Sequence, residues 1–306
     1  MSTSTYEKYI NMPLSDLIAY ADKIRRSSVG TDVDVCGIVN AKSGACSENC
    51  KFCAQSVHHN TSVDIYPLEN IENIIKEAHS AKQNGAKRFS IVTSGNKLTE
   101  KETKIIAEAV KEVSQEIGLE TCASLGALNQ NAFKTLKDAG LKRYHHNIET
   151  SERFYGEIVS THDFSERINT VLDAKQCGLD VCSGGIVGLG ETWNDRISMA
   201  ITLKNLEVDS VLLNFLVPIK GTPLENMPKM TPNDAIRTIA IFRIILGGIS
   251  LTIAAGRESV LKDFQGMMFM AGANGIMIGG YLTVKGRSVE EDSLLLDKVK
   301  EIWKNQ

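Results

Sequence analysis

The stretch HSAKQNGAKRFSIVTS, residues 79–94, joins the glycine-containing end of a helical pattern to a short β-rich run. The same chemistry returns in LKDAGLKR (136–143) and DAKQCGLD (173–180), where glycine supplies the left-handed conformation that ends a helix before a strand. Around these turns, helical patterns with apolar residues every three to four positions alternate with β-rich runs. This repeated order of helix, glycine and strand indicates a parallel β/α architecture.

Eight such β-rich runs lie at 33–39, 88–94, 120–126, 143–149, 179–187, 210–218, 249–257 and 275–281. Eight β/α units predict an α/β fold, a (βα)8 TIM-type barrel with an N-terminal helical extension. A doubly wound open sheet is the alternative, because strand counts from sequence err by one or two. We expect residues 1–306 to form one domain. Its parts are an N-terminal helix within 1–30 that packs across the bottom of the barrel, the barrel at 31–282 and a C-terminal helix at 283–306.

The composition excludes some classes of protein. Of the 306 residues, 42% are hydrophobic and the net charge is −3, so the chain can bury a core and has no general attraction to nucleic acid or anionic membranes. Its longest apolar stretches are interrupted by charges such as Arg237 and Arg243, and the N-terminus lacks an apolar signal core. We expect a soluble, cytoplasmic protein. Its seven cysteines then indicate metal binding or catalysis rather than disulfides.

Three of these cysteines are crowded into SGACSENCKFCAQS, directly after the first predicted strand. Cys46, Cys50 and Cys53 have the spacing C-x3-C-x2-C, and the first βα loop of a barrel is a place for an active site. Zinc is one interpretation, with His58 or His59 as the fourth ligand. The other is a four-iron cluster, in which three cysteines leave one iron open to a small molecule.

The spacing, with the aromatic Phe52 before the last cysteine, resembles the radical S-adenosylmethionine superfamily. The resemblance implies that a 4Fe-4S cluster on Cys46, Cys50 and Cys53 binds the amino and carboxylate groups of S-adenosylmethionine at its open iron. It also implies that the reduced cluster releases a 5′-deoxyadenosyl radical.

Three more cysteines stand inside predicted strands. Cys36, Cys122 and Cys182 fall on the first, third and fifth, and alternate strands contribute side chains to a common layer inside such a barrel. If all three point inward, they converge near the barrel axis. Each one taken alone is more often a small buried hydrophobe. Cys177, near a helix end, is interpreted as structural.

Further segments make the resemblance specific to the biotin synthase family. They are HHNIETSERFYGEIVST (145–161), CSGGIVGLGET (182–192), IKGTPL (219–224), AAGRE (254–258) and FMAGANGIMIGG (269–280). The resemblance implies a sulfurtransferase that inserts sulfur between C9 and C6 of dethiobiotin and uses two molecules of S-adenosylmethionine per product. It also implies an auxiliary iron–sulfur cluster as sulfur donor, a flavodoxin or ferredoxin as electron donor, and a homodimer.

The sequence departs from the common family pattern at the auxiliary cluster. That pattern holds a 2Fe-2S cluster with three strand cysteines and an arginine, but Ser90 replaces one cysteine and Thr252 replaces the arginine. Cys36 is gained, next to the matching Cys122 and Cys182. The resemblance to a variant group implies a four-iron auxiliary cluster with an extra sulfide on these three cysteines. The alternative is an empty auxiliary site and different radical chemistry.

Polar residues alternate in the fourth predicted strand, so that His145, Asn147 and Glu149 share one face. Inward polar groups are costly without partners, which indicates ligand contacts, although a solvated strand end is the alternative. Asn214 stands between apolar neighbours in the sixth predicted strand, where a buried amide needs a partner.

The resemblance gives these residues roles. Asn147 and Glu149 would bind the ribose hydroxyls of S-adenosylmethionine, and His145, Asn147 and Asn214 would contact dethiobiotin. The remaining cofactor contacts that it implies are Arg167 at the methionine carboxylate, Thr93 and Ser94 at the methionyl group, Phe52 beside the cluster, and the backbone at Gly184, Ile186 and Val187 along the adenine.

Two other functions stay open from the sequence. One is a related radical enzyme of the same subgroup, such as a hydrogenase maturase or a methylornithine synthase. The other, from a different class, is a zinc-stapled barrel with hydrolytic or purely binding function.

Overall fold

Eight parallel strands close into a barrel in the computed structural model, which describes residues 2–283 and 286–304. Each strand pairs with the next along the chain, and β1 pairs with β8 through Asp34 and Gly275. The predicted (βα)8 barrel is confirmed, and the doubly wound open sheet is wrong because no strand of the described sheet is left at an edge. The strands are β1 (Asp34–Lys42), β2 (Arg88–Thr93), β3 (Glu120–Ser124), β4 (Arg143–His145), β5 (Asp180–Val187), β6 (Ser210–Phe215), β7 (Ser250–Ile253) and β8 (Gly275–Met277).

Helices surround this barrel. The described α-helices are α1 (Leu14–Ser28), α2 (Ile71–Gln83), α3 (Glu100–Glu112), α4 (Gln130–Asp138), α5 (Glu152–Ile158), α6 (Phe164–Gln176), α7 (Trp193–Asn205), α8 (Pro232–Leu246), α9 (Arg257–Leu261), α10 (Gln265–Met270) and α11 (Val289–Lys304). Short 3-10 turns lie at Thr3–Thr5, Glu7–Tyr9 and Lys262–Phe264, and a π-helical turn, Val113–Ile117, follows α3. The glycine turns behave as predicted: Gly140 after α4 and Gly178 after α6 have φ of 105° and 75°.

The main apolar core lies between the barrel and its helices. In β2, Phe89 and Ile91 are fully buried in this outer core, whereas Ser90 and Val92 line the inside of the barrel. Because side chains alternate along a strand, every strand divides its residues between the two surfaces. The interior therefore carries polar and sulfur-bearing side chains that packing alone does not require.

The N-terminal helix is shorter than predicted. It begins at Leu14 and packs mainly against α8 and α10 in the outer layer. Its C-terminal end, at Ser28, contacts Gly248 in the loop before β7. That this helix packs across the bottom of the barrel stays a prediction.

The C-terminal segment predicted as a helix from 283 contains α11, which begins at Val289. Residues 284, 285, 305 and 306 of that prediction lie outside the described residues. No helix in the described part of the chain has the length and apolarity needed to cross a membrane.

Candidate active site

A cavity of about 390 Å³ occupies the inside of the barrel. It brings together the two groups of cysteines that the sequence singled out. We call Cys46, Cys50 and Cys53 the loop triplet and Cys36, Cys122 and Cys182 the strand triplet. Both triplets line this one cavity. So do the other predicted site residues Phe52, Thr93, Ser94, His145, Asn147, Glu149, Arg167, Ile186 and Asn214.

The loop triplet is ordered by hydrogen bonds of the loop itself. Cys46 donates its backbone N–H to the carbonyl of Gln55 at 3.0 Å, and its own carbonyl accepts from Val57 at 2.9 Å. The side-chain oxygen of Gln55 accepts from the backbone of Gly44 at 3.1 Å. Gly44 has φ of 71°, a left-handed conformation that glycine adopts without strain. These contacts fold the segment after β1 into a closed loop over the cavity.

Burial governs the chemistry of the loop triplet. It raises the pKa of Cys53 to about 11, with a further rise from the neighbouring Cys46. Burial likewise raises the pKa of Cys50, and the negative charges of Glu149 and Cys53 add to the effect. The thiolates of Cys50 and Cys53 are therefore unfavourable without a compensating metal charge. Together with Cys46 they suit an iron–sulfur cluster, which binds cysteine as thiolate.

The two histidines proposed as zinc ligands are engaged elsewhere. The Nε2 atom of His58 lies 3.0 Å from the carbonyl of Ser47, and that of His59 lies 3.0 Å from the carbonyl of Cys50. Within residues 2–283 and 286–304, no three His, Cys, Asp or Glu side chains lie close enough to hold one metal ion. The arrangement does not support a structural zinc site on this loop, because zinc requires four converging ligands.

The strand triplet converges inside the barrel, as inward orientation requires. Burial raises the pKa of Cys36, and the charges of Cys122 and Cys182 raise it further. Burial also raises the pKa of Cys122 to about 12. The mutual influence places the three thiols in one region. Ser90 and Thr252, which stand where the common family pattern has cysteine and arginine, line the same cavity.

Asn147 and Glu149 reach the cavity from a loop rather than from a strand. β4 ends at His145, so the strand predicted to run through residue 149 is too long, although His145, Asn147 and Glu149 all line the cavity. Glu149 has φ of 66°, and its backbone N–H and C=O are bound to Gly184 and Ile186 of β5 at 3.1 and 2.9 Å. This bridge turns both side chains into the cavity without a continuous strand.

Charged and polar side chains surround Glu149. Burial raises its pKa, while Arg167 from α6 opposes the rise, with guanidinium and carboxylate 4.0 Å apart. The Nδ2 atom of Asn147 donates to Glu149 at 3.4 Å, and its Oδ1 is buried without a partner. Thr93 Oγ1 is also buried and unpartnered. Because buried polar atoms rarely go unsatisfied, these two oxygens indicate a polar ligand in the cavity.

Sequence reasoning missed a network that surrounds Arg167. Its Nε donates to the hydroxyl of Tyr155 at 3.2 Å, and that hydroxyl lies 2.7 Å from Nδ1 of His162. The Nε2 atom of His162 is 3.8 Å from Cys50 Sγ. Arg167 is thus a half-buried residue joined through this network to the loop triplet. Only the proximity of α5 and α6 in space reveals this network.

His145 and Asn214 both line the cavity, in different states. Burial lowers the pKa of His145 to about 4, so its imidazole is neutral at pH 7. Asn214 accepts from the backbone of Ala255 at 3.1 Å and donates to the carbonyl of Gly185 at 3.4 Å. The predicted need for a partner is therefore met by backbone, and one amide hydrogen of Asn214 remains for a ligand.

Two predicted cofactor residues do not line the cavity. Val187 is fully buried in the outer core. Gly184 lies between Cys182 and Ile186 on β5, where an added Cβ would be 1.8 Å from the carbonyl of Leu212. Its missing side chain serves the close approach of β5 and β6. Of the three positions predicted to contact the adenine, Gly184, Ile186 and Val187, Ile186 is the one that lines the cavity.

Comparison with known families divides the chain into two matched regions. The Radical SAM superfamily matches residues 41–203, and the Biotin and Thiamin Synthesis associated domain matches residues 213–300. Among solved structures, a methylornithine synthase has a TM-score of 0.82 at 18% identity, covering 97% of this chain and 92% of that one. The FeFe-hydrogenase maturase from Carboxydothermus hydrogenoformans has a TM-score of 0.80 at 19% identity, with 95% and 72% covered. At such identities these two share the fold alone.

Closer relatives are similar over nearly the whole chain. The biotin synthase of Thermotoga neapolitana is 53% identical over 271 residues, covering 88% of this chain and 97% of that protein. The biotin synthase of Thermotoga petrophila is 48% identical over 299 residues, covering 97% and 99%. With its closed barrel and its cysteine-lined cavity, the chain belongs to the biotin synthase family of radical S-adenosylmethionine enzymes.

Proposed function

We propose that one cavity houses two iron–sulfur sites and uses both to insert sulfur into dethiobiotin. The observation that carries the proposal is that the loop triplet and the strand triplet line the same cavity. The loop triplet follows the carboxyl end of β1, where active sites of such barrels lie, and the strand triplet lies deeper in the barrel wall. Substrate held between them can meet both sites.

The chain is a radical S-adenosylmethionine sulfurtransferase that forms biotin from dethiobiotin with a 4Fe-4S cluster and S-adenosylmethionine. When bound, these two cofactors supply the 5′-deoxyadenosyl radical that removes hydrogen from C9 and C6 of the substrate. The protein contributes ligands, orientation and exclusion of water.

The loop triplet would hold the 4Fe-4S cluster. Three cysteines without a fourth protein ligand leave one iron free for S-adenosylmethionine. An apolar cluster around Cys50, with Phe52 and Ile186 packed against it, shields this site from water. That shielding fits the chemistry, because a primary radical must be kept from solvent.

The polar residues near the loop triplet would bind S-adenosylmethionine. Arg167 has the fork of donors that suits the methionine carboxylate. Glu149 and Asn147 would take the ribose hydroxyls, and the unpartnered Oδ1 of Asn147 offers the acceptor. Thr93 would contact the methionyl group through its unpartnered hydroxyl. Ser94 already donates to the carbonyl of Gly44 at 2.7 Å, so its part is to fix the loop.

Dethiobiotin would lie against His145, Asn147 and Asn214. The neutral imidazole of His145 offers one donor and one acceptor, which suits a ureido group. Asn214 offers the amide hydrogen that the backbone leaves free. Since the backbone fixes Asn214 on both sides, its orientation does not depend on the substrate.

The strand triplet would hold the auxiliary cluster that donates sulfur. Its donor set is three thiols inside the barrel, with Cys122 buried and Cys36 and Cys182 half-buried, and the neutral hydroxyls of Ser90 and Thr252 face the same space. Three thiolates suit a four-iron cluster with an extra sulfide better than a 2Fe-2S cluster, which takes four ligands.

We further propose a flavodoxin or ferredoxin as reductant, a homodimer, and a reducing cytoplasm, where all seven cysteines stay free of disulfides.

A single-turnover experiment tests the sulfur transfer. The anaerobic protein is loaded with isotopically labelled sulfide and given dethiobiotin, S-adenosylmethionine and reductant, and biotin is analysed by mass spectrometry. We expect labelled biotin from the wild type and from the control Cys177→Ser, whose cysteine lies at the end of α6. Cys122→Ser should cleave S-adenosylmethionine but form no biotin. Labelled biotin from Cys122→Ser would refute the auxiliary site.

A further inference from the structure

Charged residues close the end of the cavity at the amino-terminal side of the strands. Arg88 forms ion pairs with Asp34 and with Glu120, the latter at 2.8 Å. Arg143 of β4 lies next to this pair of contacts, and its Nη2 is 3.7 Å from the carboxylates of both Glu120 and Asp180. Arg88 is thus paired at close range, whereas Arg143 reaches its carboxylates only at the limit of an ion pair.

Arg143 lies among the strand triplet. It is in register with Cys122 on β3, and the next inward residue of its strand is in register with Cys182 on β5. Its Nη1 donates to Ser210 Oγ at 3.2 Å, and Ser210 is in register with Cys182. Burial raises the pKa of all three thiols, and Arg143 opposes the rise in each. The guanidinium is therefore a positive charge that all three thiols share.

One donor of this guanidinium is unused. The Nε atom of Arg143 is buried and has no hydrogen-bond partner, although Arg143 lines the cavity. A buried donor without a partner is energetically costly, so it indicates a group that the cavity holds when loaded. An anionic, sulfur-rich cluster on the strand triplet would both accept this hydrogen bond and gain from the charge.

We propose that Arg143 is the positioning residue of the auxiliary cluster. It compensates the charge of the buried thiolates and donates from Nε to a sulfur of the group that they hold. Arginine stays protonated and offers donors alone, so this role does not require it to bind iron. The inference rests on the proposed auxiliary cluster and adds a residue that the cysteine pattern does not contain.

The neighbouring Lys142 provides a matched control. Its side chain is 60% exposed and lies 3.6 Å from Asp180, one of the carboxylates that Arg143 also approaches. Lys142→Gln removes the same charge one residue away, outside the cavity. If Arg143 has a specific role, Arg143→Gln and Lys142→Gln will differ in their effect on the auxiliary cluster. If only the loss of positive charge matters, the two variants will have the same effect.

The experiment titrates anaerobic, loaded protein with an iron chelator and follows the two clusters by absorbance and electron paramagnetic resonance. Removing the residue that orients a metal ligand costs roughly 10- to 100-fold in affinity, so Arg143→Gln should lose its auxiliary iron at a correspondingly lower chelator concentration. The iron of the loop triplet should be retained. The midpoint potential of the auxiliary cluster should become more negative, because the reduced cluster loses a neighbouring cation. Arg143→Lys, which keeps the charge, should restore the potential in part.

Each outcome decides the inference. If Arg143→Gln keeps its auxiliary iron and potential as Lys142→Gln does, the proposed role is wrong. If Arg143→Gln and Arg143→Lys lose both clusters together, Arg143 supports the barrel in general, and the specific role is overturned. If the wild type carries iron only at the loop triplet, the auxiliary cluster itself is absent. The proposed function then fails first, and this inference falls with it.

Discussion

Arg167 offers a quantitative test of cofactor binding. Its side chain is 16% exposed, and Tyr155 takes its Nε at 3.2 Å. Its Nη1 and Nη2 lie 3.3 and 3.4 Å from the Nε2 atoms of His146 and His162, and they would exchange these contacts for the methionine carboxylate. A hydrogen bond to a charged group contributes about 1.5–3 kcal/mol, which is roughly 10- to 150-fold in Kd. We expect Arg167→Gln to raise the Kd for S-adenosylmethionine by roughly 100-fold. Arg167→Lys, which keeps the charge but loses the fork, should raise it roughly 10-fold.

The assay is equilibrium binding of S-adenosylmethionine to anaerobic protein whose loop-triplet iron has been measured. Arg153→Lys is the control, because that arginine is 66% exposed and pairs with Asp195 outside the cavity. We expect it to bind as the wild type does. Equal affinity in wild type and Arg167→Gln, at equal iron content, would refute the assignment of Arg167 to the carboxylate.

Three further predictions concern the auxiliary site and the stability of the fold. Cys36→Ser should lower the iron content from about eight to about four per chain while S-adenosylmethionine cleavage continues, and unchanged iron would remove Cys36 from the ligand set. Against the effect of burial, hydrogen bonds led by that of Arg153 hold the pKa of Asp195 well below its usual range. Its stabilisation is therefore fully present above about pH 4 and declines as pH falls below that, so Asp195→Asn should cost about 2 kcal/mol in urea unfolding at pH 7 and progressively less as the pH is lowered from about 4 toward 2. Arg257 and Asp292 form an ion pair at 2.6 Å with neither side chain exposed. Asp292→Ala should therefore lower the free energy of unfolding by about 3–5 kcal/mol, and a thermal melt like that of the wild type would contradict this.

The fold could be predicted from sequence because its signals are local and repeated. Each glycine turn such as Gly140 marks one helix–strand junction, and eight strands leave few architectures. The loop triplet was equally accessible, since its spacing is short and its place after β1 follows from the strand order. The period of two in a strand allowed the strand triplet to point inward together but did not choose that face, which only the closed barrel shows.

What the sequence did not reveal depends on contacts between distant segments. Arg143 stands at the start of a three-residue strand, and only the register with Cys122 shows that it faces the thiols. The Tyr155–His162 contact joins residues near one another in the chain, but its relation to Cys50 arises when two loops meet. Gly184 was assigned to the cofactor, whereas the structure uses its lack of a side chain for the approach of two strands.

The central claim is that one barrel carries two iron–sulfur sites, and the iron and acid-labile sulfide content after strictly anaerobic purification tests it most directly. We predict about eight irons per chain, with sulfide in slight excess over iron. About six irons would restore a 2Fe-2S donor and remove Cys36 from the ligands. About four irons would contradict the account, because the strand triplet would then be three free thiols without a cluster.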